Sequence, residues 1–370
     1  MNNKNLTQNL TIFIPIIMVG LGIIMIYSSS SIFAAEKFND NAYFFKKQAL
    51  FGIFGIICML LVMKIPYSFF NKIAYPLWFA CLSLLIVLLI PGIGTKVGGA
   101  VRWLRLGSLS FQPSEMAKLA VIILLASSLS KKDPSKIKTF SIGILPHLIF
   151  VLPVCFLIIL QPDFGTSVII LSVFFTILFA AGVPFRYLSL MGIIAGSAGA
   201  LLIVCKGYRV ARLLTFLNPW ENSTGSGFQI VQSFLAFGSG GLWGTGLGRG
   251  TQKLFYLPEP HTDFILSVIG EELGFVGVIT VATLMLMLIV CGINIAMHAR
   301  DMFGTYLALG ITSLIGLQAT INMSVVMGLL PTKGIPLPFI SYGGTSLLVN
   351  LTSVGILLSI SRQCNFKVKK

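Results

Sequence analysis

Acidic side chains are scarce in this chain, eleven Asp and Glu among 370 residues, so the setting of each is informative. Three occur in similar surroundings: Phe111-Gln112-Pro113-Ser114-Glu115, Gln161-Pro162-Asp163-Phe164 and His261-Thr262-Asp263-Phe264, each at the head of an apolar run. A carboxylate in the first turn of a helix offsets the positive end of its dipole, and proline there costs no hydrogen bond, so each has a plain structural use. Glu115 has a second one. Lys118 lies one turn further on the same helical face, in the favourable Glu-before-Lys order. An ammonium inside an apolar span is costly unless it meets a partner or a wet cavity, so this pair predicts a polar cavity opening outward. Asp263 is crowded by Lys253, Tyr256, Glu259 and His261, with Glu271 and Glu272 further along. Eight helical residues put Glu271 about 12 Å below Asp263, well into the bilayer region, where both acids need hydrogen-bonding partners on neighbouring helices. His261 reads as a packing or hydrogen-bonding residue, because no second histidine or cysteine has ligand spacing.

Two basic stretches complement these acids. Residues 91–113 carry Lys96, Gly98, Gly99, Arg102, Trp103 and Arg105. Guanidinium groups match phosphate oxygens in pairs, so a pocket with Arg102, Lys118 and Arg105 would suit a pyrophosphate. Residues 330–344 contain three prolines that forbid a helix, while Lys333, Ser341 and Tyr342 offer donors; a connecting loop is the simpler use. A glycine-rich stretch ends in Gly244-Thr245-Gly246-Leu247-Gly248-Arg249-Gly250. It lacks the flanking strand and helix of a dinucleotide site, so the glycines are read as letting backbone approach a lipid headgroup or fold a re-entrant turn. Within it, Ile230, Phe234, Leu235 and Phe237 predict a short helix lying on the outer leaflet.

The elements that position these residues follow from composition. Hydrophobic residues make up 56% and charged residues 10% of the chain, and the mean hydropathy is +0.93, which excludes an ordinary soluble domain. Apolar windows recur at 11–33, 48–65, 73–90, 114–130, 140–160, 164–182, 187–205, 264–297, 303–328 and 342–361. Each suffices for a hydrocarbon core of about 30 Å. The expected fold is therefore an all-α integral membrane protein of ten transmembrane helices, one membrane domain over 1–370, with a long extracytoplasmic loop, 206–263, between spans seven and eight. The first window is an uncleaved span, too long for a signal-peptide core. Six scattered cysteines form no disulfide framework or metal knuckle. Lys131, Lys132, Lys136, Lys138 and the tail Lys367, Lys369, Lys370 favour cytoplasmic termini. Basic residues straddle both faces, which argues against nucleic-acid binding.

The strings GGAVRWLRLGSLSFQPSEMAKL, GSGGLWGTGLGRGTQKLFYLPEPHTDFILSVIGEELGFVG and GLLPTKGIPLPFISYGGTSLL resemble the characteristic blocks of the SEDS family, which comprises RodA, FtsW and SpoVE. LPTKGIPLPFISYGG and GEELG are more similar to its cell-division branch than to its elongation branch. The resemblance implies a peptidoglycan glycosyltransferase that polymerises lipid II, with Asp263 as the essential catalytic position. Glu115, Lys118 and Arg102 correspond to further family positions. Substrate contacts are expected from Arg102, Glu115, Lys118, Lys333 and Ser341, with no protein-bound metal. The resemblance requires no cofactor; a divalent cation, Mg2+ or Mn2+, held by Glu115 is the one the residues leave room for. Implied partners are a class B penicillin-binding transpeptidase and other division-complex membrane proteins, at the septum of the cytoplasmic membrane. A lipid II flippase using Lys118, Glu271 and Glu272, an elongation-type polymerase and a non-enzymatic scaffold stay open as alternatives.

Overall fold

Backbone polar groups in hydrocarbon have no water to bond, so an apolar chain of this length has to satisfy them within helices. The computed structural model describes residues 3–97, 100–107, 109–205, 207–221, 227–251 and 261–364. Long helices run over Asn3–Phe38 (α1), Tyr43–Val62 (α2) and Ser68–Val87 (α3). A three-stranded antiparallel sheet follows, Gly94–Val97 (β1), Ala100–Leu106 (β2) and Leu109–Phe111 (β3), in the order β1-β2-β3. Then come Pro113–Ser130 (α4), the short Pro134–Ile137 (α5), Leu145–Leu160 (α6), Phe164–Ala180 (α7), Phe185–Val204 (α8), Gly207–Leu217 (α9) and Phe228–Gly240 (α10). The chain closes with Ile265–Glu272 (α11), Gly274–Met297 (α12), Met302–Val326 (α13) and Gly344–Gln363 (α14).

Among the described residues nine helices are long and apolar enough to cross a membrane, and α7 is equally apolar but only 17 residues long. The protein is a mostly helical, multi-pass membrane protein. The sheet departs from the all-α expectation: its strands are three to seven residues long, too short for an alternating pattern to stand out. Gln112 is extended and Pro113 opens α4, so the sheet feeds directly into that helix.

The spans are unequally buried. In α4, 89% of the spanning window is enclosed by neighbours, against 6% in α8, where Leu188 alone is buried. The helix α4 is the axis of the bundle and α8 stands at its edge.

The window 264–297 is not one span. Gly274 breaks it, at φ +67°, between α11 and α12. A Cβ at Gly274 would lie 2.4 Å from Gly244 N and 2.5 Å from Leu242 O. The glycine-rich turn after α10 presses on this break, and the amides of Phe275 and Val276 donate to Gly241 O and Leu242 O, satisfying two of the first donors of α12. At about 1.5 Å per residue the 24 residues of α12 reach about 36 Å, enough for the hydrocarbon core unaided. Glu271 and Glu272 close α11, immediately before that span begins. The helix α10 also differs from expectation. It does not lie alone on a lipid surface: Ile230, Val231, Ser233, Ala236 and Gly240 are buried. Ser233 Oγ donates to Val326 O at 2.6 Å and lies 2.8 Å from Ser267 Oγ. A Cβ at Gly240 would meet Gly270 O at 1.9 Å, so α10 and α11 touch backbone to backbone.

Candidate active site

Asp263 lies in the turn that leads into α11, half-buried, at the wall of a cavity of about 980 Å³. One part of the lining is apolar: Ile159, Leu160, Phe164, Leu202, Ile203 and Leu213. The polar side chains in the lining come from six separate segments: Arg102, Asp163, Arg212, Gln229, Asp263 and Lys333. The helices α6 and α7 form one side, α8 and α9 another, and the proline-rich loop after α13 a third.

Strand β2 carries Arg102 over the turn between α6 and α7, where Nε donates to Gln161 O at 3.0 Å and Nη2 donates to Pro162 O. These bonds hold the guanidinium at the cavity wall. Arg212 Nη1 makes a long contact, 3.5 Å, with Thr332 O. Lys333 Nζ stands 4.7 Å from the centroid of the Phe164 ring. A Cβ at Gly334 would lie 3.0 Å from Asp263 Oδ2, close enough to displace that carboxylate by a few tenths of an ångström. Asp163, though in the lining, serves as a helix cap: Oδ1 accepts from Thr166 N at 3.2 Å and Oδ2 from Thr166 Oγ1 at 2.8 Å.

The structure brings Arg102, Lys333 and Asp263 together and leaves the other expected site residues apart. Lys118 Nζ and Glu115 Oε1 pair at 2.7 Å, with both side chains almost wholly buried, and neither lines the cavity. Within α4 the two charges face and offset each other. Ser341 is buried within the loop it belongs to. Its Oγ accepts from Leu337 N at 2.9 Å and its carbonyl accepts from Gln48 Nε2 at 3.2 Å, a fold-holding arrangement. Arg105 is exposed. Gly98, Gly99, Lys253, Tyr256, Glu259 and the lysines of the C-terminal tail lie outside the described residues.

The two adjacent acids at the head of α12 hold the glycine-rich turn. Glu272 Oε2 accepts from Gly248 N at 3.1 Å, Glu271 Oε1 accepts from Thr251 N at 2.6 Å, and Ser28 Oγ of α1 donates to Glu272 Oε1 at 2.7 Å. The backbone joins in, with Thr245 N and Gly246 N donating to Glu271 O and Glu272 O. His261 is packed among the rings of Phe44, Tyr342 and Phe33, at centroid separations of 4.3, 5.5 and 6.1 Å. Burial lowers its pKa to about 4, so it is neutral at neutral pH. Among the described residues no three His, Cys, Asp or Glu side chains converge on a metal position.

Three further polar residues belong to this site and were not singled out beforehand: Arg212, Gln229 and Asn322. Asn322 Nδ2 donates to Asp263 O and to Ile335 O, each at 2.8 Å. Its one sequence signal was a carboxamide inside an apolar span.

Residues 8–365 match the profile of the FtsW, RodA and SpoVE family, described as cell cycle proteins. A protein named as probable peptidoglycan glycosyltransferase FtsW from Geobacter sulfurreducens is 49% identical over 92% of this chain and 91% of its own. Among solved structures, a chain of a peptidoglycan synthase complex, described as coordinating polymerization and crosslinking, superposes with a TM-score of 0.77 at 30% identity over 95% of this chain and 96% of that one. The rod shape determining protein RodA of Thermus thermophilus superposes with a TM-score of 0.71 at 28% identity over 96% of this chain and 97% of its own. With agreement in sequence and in fold from end to end, the chain belongs to the FtsW/RodA/SpoVE family.

Proposed function

We propose that this protein is a peptidoglycan glycosyltransferase that polymerises lipid II into β-1,4-linked glycan strands at the outer face of the cytoplasmic membrane, for septal wall synthesis. The observation that carries it is the cavity: a half-buried carboxylate and three cations, Arg102, Arg212 and Lys333, at the edge of an apolar trough. A lipid-linked sugar pyrophosphate has that same division into an apolar tail and an anionic head. Asp263 takes the proton from the 4-hydroxyl of the acceptor GlcNAc as its oxygen attacks C1 of the donor MurNAc. The C1–O bond to the pyrophosphate breaks on the far side, and Arg102, Arg212 and Lys333 stabilise the charge that leaves with it. The FtsW relative supports the division assignment over the elongation one.

The burial of Glu115 and Lys118 and their mutual ion pair support a role in holding α4 over contact with substrate. The donor set does not fit a divalent cation held by Glu115, whose carboxylate is already paired with Lys118; a Mg2+ or Mn2+ would travel with the pyrophosphate. In topology, α7 counts as a tenth span, both termini are cytoplasmic, and residues 206–263 form an extracytoplasmic segment between spans seven and eight. A class B penicillin-binding transpeptidase and other division proteins are the partners this reading requires; the synthase-complex neighbour supports the first. A flippase would need a matched polar site on the inner side, and the polar lining of this cavity comes from segments on the outer side of this topology. Purified protein carrying Asp263→Asn should keep its size-exclusion profile and lose gel-resolved glycan polymer from lipid II. Normal polymer from that variant would overturn the assignment.

A further inference from the structure

Asn322 lies about one turn from the end of α13 and is 2% exposed. Its amide nitrogen donates to Asp263 O and Ile335 O, 59 and 13 residues away in the chain. An amide nitrogen has two hydrogens, and here both are used. The orientation follows from chemistry, since an oxygen in that place would face two carbonyl oxygens. The two acceptors belong to different segments: one carries Asp263, the other follows Lys333 and Gly334. The same two segments touch again where Asp263 Oδ2 rests against Gly334. Burying a carboxamide in an apolar helix is unfavourable unless its hydrogen bonds are made, and Asn322 Oδ1 accepts none among the described residues. An aliphatic side chain would serve packing alone at lower cost, so the two donated bonds are what the amide contributes.

We propose that Asn322 is a positioning residue that sets the separation between the Asp263 carboxylate and the Lys333 ammonium. In the glycosyltransferase reading, on which this rests, that separation is the distance from the base to the leaving pyrophosphate. Asn322 touches neither the reacting atoms nor the apolar trough that receives the lipid, so its removal acts on turnover rather than on binding. A misplacement of about 1 Å between reacting groups costs on the order of 100-fold in rate.

The test compares full-length wild type, Asn322→Ala and Asn322→Ser, with two readouts. In lipid II polymerisation Asn322→Ala should lower kcat by about 10- to 100-fold, with KM and the apparent melting temperature little changed. Asn322→Ser, which keeps one donor, should fall between. The second readout is the distance distribution between spin labels at positions 262 and 332 in a cysteine-free background, which should broaden in Asn322→Ala. A kcat within twofold of wild type, a fall in kcat matched by an equal rise in KM, or an unchanged distance distribution would each overturn the proposal. If Asn322→Ala does not fold, Asn322→Ser decides: an intermediate kcat supports the clamp and a wild-type kcat overturns it. Wild type that makes no polymer would instead count against the glycosyltransferase reading, while the spin-label distances still judge the clamp.

Discussion

Lys118 and Glu115 show how one charge pair can serve structure where chemistry was expected. Both sit in the most enclosed of the described spans, 3% and 4% exposed, and lie outside the cavity lining. Burying two ions is costly, and their attraction offsets that cost only while both are present. Lys118→Met alone strands a buried carboxylate and should destabilise the protein by about 3 to 5 kcal/mol. The double variant Glu115→Gln with Lys118→Met should recover most of that loss. Thermal unfolding in detergent measures both; equal losses in the single and double variants would return the pair to a substrate-binding role. The spacing was legible in the sequence, since two charges three residues apart on a helix must meet. Whether they faced a cavity or each other was not, because that depends on how closely neighbouring helices enclose α4. Asp263 was legible because of the run it sits in, His261-Thr262-Asp263-Phe264, whereas its neighbours in space, Gly334 and Asn322, come from far along the chain. Arg212 and Thr332 meet at this cavity from positions 120 residues apart, with Lys333 beside them, and nothing local announces that meeting.

At the scale of elements, span positions were readable because hydropathy is a property of composition along one segment. The break between α11 and α12 was not, because it is made by a distant partner. The glycine-rich turn supplies carbonyls for the first amides of α12 and takes hydrogen bonds from its own amides onto Glu271 and Glu272. Gly274 is where the two segments come closest. At φ +67°, with Gly244 N 2.4 Å from any added Cβ, Gly274→Ala faces both backbone strain and a steric clash. A loss of about 1 to 3 kcal/mol is expected. Hydrogen exchange should rise at Gly244 to Thr251 and leave α13 unchanged; protection retained in the turn would mean that the contact is not what holds it. The sheet was missed on similar grounds, since its strands gain their identity by pairing with one another and not by pattern.

For the whole molecule, the decisive asymmetry is between the enclosed axis and the edge. The helix α8 contributes Leu202, Ile203 and Cys205 to the cavity wall, yet leaves Ile193, Leu201 and Val204 70%, 65% and 71% exposed. Most of what touches α8 in a membrane is therefore acyl chain. Protein contacts hold the other side of the cavity, formed by α6 and α7; the outer face of α8 is left to its surroundings. The width of the cavity then becomes partly a property of the bilayer. A helix of 20 residues, about 30 Å, responds to thicker or thinner hydrocarbon by changing its tilt. Polymerisation rates in proteoliposomes of increasing acyl-chain length should pass through a maximum near a 30 Å core and fall on either side. A disulfide joining α8 to α7 should flatten that curve. A flat curve in the unlinked protein would mean that protein contacts, few as they are, hold α8 in place. Such a maximum would make fatty-acid composition a setting for synthesis, read by the site through the tilt of α8 with no messenger between them.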